Sequence, residues 1–153
     1  MALLNQQPSQ QTAQGANANS QKMQEHVQNI VKVAHTFMYS NQTNDKFMAE
    51  LKAHLGSGDK PKLAAAQTAA SIMALLAHQS QYKMAQQAFI PAGIMIAGEI
   101  LDLIASSQNH NPSERDAQET IILFINEVKK MTAKAGQAQP QQEQPQHPAM
   151  QGA

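Results

Sequence analysis

The sequence predicts an all-α protein, a bundle of about five helices between two disordered tails. Three observations predict it. Apolar residues recur every three or four positions through the middle of the chain. Helix start and stop residues fall between these stretches. No alternating run of β-branched residues reaches strand length. Composition divides the 153 residues into a tail over 1–19, a helical domain over 20–136 and a Gln/Pro-rich tail over 137–153. After Leu4 no large apolar side chain appears before Met23, too little to offset the entropy of ordering the first segment. The last segment, QAQPQQEQPQHPAMQGA, reads as a flexible, partly polyproline chain.

The elements follow in order. Met23, Val27, Ile30, Ala34 and Met38 form one face of a first helix over about 20–39, with Ser20 as its cap. Phe47, Leu51 and Leu55 form the stripe of a short second helix, and Gly56 is expected to close it in the left-handed region. After the loop GSGDKP, Pro61 opens a third helix that runs to Gln81 or beyond, with Leu63, Ala66, Ala70, Met73 and Ala77 on one face. Pro91 is expected to break this pattern and start a fourth helix over about 91–107. That helix is the most apolar segment, so it is expected at the centre of the bundle. Asn111-Pro112-Ser113-Glu114 opens the fifth, with Asn as cap and Pro in the first position. Ala117, Ile121, Phe124, Ile125, Val128 and Met131 make its core face, and Gly136 ends it.

Composition narrows the function. There is no Cys, which excludes disulfides, thiolate metal sites and Cys nucleophiles. Eleven basic residues balance eleven acidic ones, so the cationic excess needed to coat nucleic acid or an anionic membrane is missing, and no sequence-specific nucleic-acid partner is expected. The start, MALLNQQPSQ, lacks the basic and apolar regions of a secretory signal, which predicts a cytoplasmic product.

Motifs for chemistry are few. His26, His35, His54, His78, His110 and His147 include no pair at the i, i+4 spacing that sets two imidazoles toward one metal. They read as ordinary helix histidines, and neither metal nor cofactor is expected. Glu99 and Asp102 share a face of the fourth helix at i, i+3. Two carboxylates there suit acid/base work or a cation, but a solvent-facing strip, or salt bridges to Lys83, Lys129 or Lys130 of a neighbouring helix, is the favoured reading. GSGDKP lacks the spacing of a phosphate loop, and no G-x-S-x-G elbow occurs. Residues 63–82 and 84–98 carry no charge. Gln67, Thr68, Ser71, His78, Gln79 and Gln81 make the first stretch too polar for a constitutive span. A buried hairpin is therefore favoured over membrane insertion.

Charged residues are only 14% of the chain, about half of what surface design favours for solubility. Helices faced with Ala, Gln, Ser and Thr pack readily against copies or partners, and nine methionines add adaptable contact surface. A homo-oligomer, such as a closed ring, is expected. Its candidate interface is Ile90, Ile94, Ala97, Leu101 and Ile104 of the fourth helix with Met73 and Leu76 of the third, the helix around Ile94–Ile104 being expected either buried in the subunit or at a subunit interface.

The segment KLAAAQTAASIMALLAHQSQYKMAQQAFIPAGIMIAGEILDLIASS, the Gln/Ala-rich ends and the lack of Cys together resemble the small internal structural proteins of tailed bacteriophage virions. These include minor head proteins made beside the portal and the ejected internal proteins of short-tailed phages. The resemblance is one of composition and extends over the whole chain, and it carries over no site residues. It implies a non-enzymatic virion component, assembled in the host cytoplasm on portal, capsid or ejection proteins. Some proteins of that class leave with the genome and help form a conduit, which is the alternative in which residues 63–105 insert as a membrane hairpin. A small soluble adaptor is the third reading.

Overall fold

The structure, a computed structural model, describes residues 11–56, 60–80 and 86–137. They form five helices: α1 (Gln11–Tyr39), α2 (Asn44–Gly56), α3 (Pro61–Gln79), α4 (Gln86–Ser107) and α5 (Glu114–Gln137). No strand occurs among the described residues. The all-α bundle is as the periodicity predicts. Most of the expected tails, 1–10 and 138–153, lies outside the described residues.

Several boundaries differ from the sequence reading for identifiable reasons. Helix α1 starts at Gln11 rather than Ser20. Ala13, Ala16, Ala18 and the two Gln favour helix while Gly15, Asn17 and Asn19 do not, and a helix already nucleated and anchored downstream extends through the mixture. Gly15 and residues 17–22 are exposed, and burial of the helix begins at Met23. Pro91 lies inside α4, just past its first turn, and does not start the helix. It deletes one backbone bond near an end, where the loss is smallest. Gly56 is not left-handed. The left-handed residue is Asn109, at φ 54°. It closes α4 with paired bonds, His110 N–H to Ala105 C=O at 2.9 Å and Asn109 N–H to Ser106 C=O at 3.3 Å.

At α5 the cap is Ser113 rather than Asn111. Its hydroxyl accepts the Asp116 N–H at 3.2 Å, and the Asp116 carboxylate accepts the Ser113 N–H at 3.0 Å. This reciprocal box forms because Asp116 stands three residues after Ser113. Between α1 and α2, Thr43 Oγ1 donates to the Phe37 carbonyl at 2.7 Å and Asn44 Nδ2 to the Met38 carbonyl at 2.5 Å. These bonds satisfy carbonyls that the end of α1 leaves open.

The centre of the bundle is α3, not α4. Helix α3 packs against every other helix, and α4 against α1, α3 and α5. Ala64, Ala65, Ala66, Ala69, Ala70, Ile72, Met73 and Leu76 of α3 are buried. A helix surfaced with Ala lets neighbours approach on several sides, so small size rather than high hydropathy selects the central element. Lys62 meets Asp116 and Glu119, so α3 and α5 start at the same end. Leu101 and Ala105, late in α4, lie at that end too, so α4 runs the opposite way. Where α4 crosses α5, Gly93 lets the buried Phe124 ring press on the backbone. A Cβ at Gly93 would lie 2.0 Å from Phe124 Cζ.

Candidate functional site

Two polar junctions tie the helices together. The first joins α3 to α5. Lys62 Nζ lies 3.1 Å from Asp116 Oδ1 and also bonds Glu119 Oε2, while Arg115 Nε donates to Glu119 Oε1 at 2.9 Å. Hydrogen bonds from the Ser113 backbone and hydroxyl, then from Lys62, hold the Asp116 carboxyl well below its usual range. Lys62 and then Arg115 lower Glu119, and the two carboxylates raise Lys62. Every charge here has a partner, which is the signature of a structural cluster. Sequence shows its α5 half, since 113/116 and 115/119 have capping and i, i+4 spacing. Lys62, on another helix, carries no such signal.

The second junction joins α1 to α4. His35 Nε2 lies 2.5 Å from Glu99 Oε2, with side chains 40% and 35% exposed. Tyr39 stands one turn beyond His35, ring centroids 6.0 Å apart at 63°. Partial burial, and then the charge of Glu99, push the Tyr39 phenol above its ordinary value. The expected lysine partners of Glu99 are thus replaced by a histidine. Lys130 pairs instead with Glu127 at 2.7 Å, and Lys83 lies outside the described residues. Asp102 is exposed. His54 lies 3.9 Å from Glu50 on its own helix, His26 and His78 are exposed, and His147 lies outside the described residues. No group of three or more metal-ligating side chains converges among the described residues.

An open cleft of about 200 Å³ lies where α3 and α5 begin and α4 ends. Pro61, Leu101, Ala105 and Pro112 make its apolar wall, and Lys60 and His110 stand among its lining residues.

The residues expected at a subunit interface divide. Ala97, Leu101, Ile104, Met73 and Leu76 are buried inside the single chain, where they serve its own core. Ile90 and Ile94 are half-buried and packed against that core. Among the described residues, the large apolar side chains open to solvent are others: Val33, Tyr39, Leu75, Met95 and Ile122. Periodicity finds apolar stripes but does not say which edge of a stripe neighbours leave uncovered.

No model of a protein family, no curated protein and no solved structure matches this chain.

Proposed function

We propose that the chain is a non-enzymatic structural and assembly protein, a bacteriophage virion component of the minor-head, portal-proximal or ejected internal class. In this reading it self-associates and seats on other virion proteins. The observation that carries it is a sparsely charged bundle with large apolar side chains left in solvent, among them Tyr39 at 56% and Met95 at 49% exposure. Isolated exposed apolar residues are ordinary. Together with a charge content of 14%, they leave little hydration to oppose association. The phage setting comes from the likeness in composition. Light scattering across a concentration series and mass spectrometry of purified particles test the reading. Oligomers and presence in particles are expected; a clean monomer at high concentration that is absent from particles refutes it.

One observation favours a second reading. The stretch Gln87–Ser107 has a mean hydropathy of 1.8 and is long and apolar enough to cross a membrane, with half of it buried in the bundle. The core helix of a soluble bundle meets the same description. Dye release from lipid vesicles separates the readings: a structural component causes none, and an inserting hairpin causes leakage.

A further inference from the structure

Two partly exposed stripes lie on the neighbouring helices α1 and α4. On α1, Lys32, His35 and Tyr39 follow at i, i+3, i+7; on α4, Met95, Glu99 and Asp102 follow at i, i+4, i+7. The His35–Glu99 contact joins the stripes at their middles. Lys32, Tyr39, Met95 and Asp102 are exposed. A Cβ at Gly98, between Met95 and Asp102 on α4, would meet nothing within 4 Å, so a partner can approach the backbone there. Aromatic residues and Met are the types enriched in interface cores, and Tyr39 and Met95 stand here beside the His35–Glu99 contact.

We propose that this face is where a second copy of the chain docks, the two copies related by a two-fold axis. The choice of partner follows from charge. The α1 stripe has a free basic end at Lys32 and the α4 stripe a free acidic end at Asp102, while His35 and Glu99 between them already bond each other within the chain. A two-fold lays the basic stripe of one copy on the acidic stripe of the other, so each contact is made twice. The named stripes run about 10 Å along each helix and lie about 10 Å apart, a patch well below the size of a stable interface. The dimer is therefore reversible. This inference rests on the self-association proposed above and adds the surface that mediates it.

Sedimentation of the full chain tests it, with circular dichroism confirming that each variant folds. Lys32→Glu and Asp102→Lys should each weaken association about tenfold, since every change is met twice. Combined, they should restore it to within about threefold. Tyr39→Ala should weaken it as well. If the wild type associates but no variant changes it, this face is wrong and self-association stands through another. A monomeric wild type at the highest attainable concentration overturns both. Monomers in which Tyr39 and Met95 are shielded from solvent labelling assign the face to a segment of the chain itself, and also overturn it.

Discussion

The α3–α4–α5 side of the bundle and the α1 side hold together by different means. On the first, an alanine-covered helix lies between its neighbours, a glycine admits an aromatic ring, and a cluster of four charged side chains ties two helix starts. On the second, the polar tie between α1 and α4 is one half-exposed histidine–glutamate contact, and α1 begins with exposed turns. The difference teaches how a chain with few charges spends its apolar residues. Small ones make one part close-packed and intolerant of added volume; larger ones, placed outside, stay partly in solvent and available.

The largest expected effect breaks the close-packed side. Gly93→Ala places a methyl group against the Phe124 ring, which is fully buried and has nowhere to swing. A loss of about 2–3 kcal/mol is expected in denaturant unfolding. Phe124→Leu in the same chain should recover part of it, because the two substitutions share one contact. Gly98, on the same helix, provides the control. With open space at its Cβ position, Gly98→Ala should gain about 0.5–1 kcal/mol from helix propensity. If both variants destabilise equally, the close approach of α4 and α5 is not what fixes Gly93.

A second change sharpens the same side with the opposite sign. Thr68 is fully buried in α3 and its hydroxyl has no hydrogen-bond partner among the described residues. Thr68→Val keeps the shape and removes the unpaired group, so a gain of about 1 kcal/mol is expected. A loss would mean that the hydroxyl has a partner in solution.

Much of this arrangement was legible in the sequence, and what was not has physical causes. The five helices and the stripe Ile30, Ala34, Met38 are read from spacing, because one face of a helix repeats. That α3 rather than α4 is central was not read. Hydropathy ranks segments by transfer energy, whereas the centre goes to the helix that neighbours can approach most closely, and alanine scores modestly on the first and well on the second. Glu99 was read as a residue to watch, from a carboxylate in an apolar helix. Its partner His35 lies on a helix far away in sequence, and single-chain spacing carries no information across that distance.

The charged cluster predicts a pH dependence. The Asp116 carboxyl is held below its usual range in the folded chain. Its contribution is therefore complete above the unfolded value of about 4 and is lost as pH falls from there through the lower folded value. Glu119 acts in the same direction. Lys62 is raised above 10.5, so its contribution is complete below that pH and fades as pH rises through the folded value. Unfolding followed from pH 5 to 2 should show a stability loss that is smaller in Asp116→Asn, which keeps the oxygen that accepts the Ser113 N–H. An unchanged acid slope would place the titrating carboxylates elsewhere.

The smallest effect belongs to the α1 side. Glu99→Gln keeps an acceptor for His35 and removes the charge. The pair is more than a third exposed, so stability should change by less than about 1 kcal/mol. The informative readout is Tyr39. Its phenol is raised first by burial and second by Glu99, so in Glu99→Gln it should titrate at lower pH than in the parent yet remain above 10.0. A Tyr82→Phe background leaves a single tyrosinate signal to follow, the chain having only two tyrosines. A return all the way to the ordinary value would show that α1 does not rest on α4 closely enough to shield the ring. A large loss of stability would instead make this junction as structural as the Lys62 cluster, and the contrast between the two sides would fail.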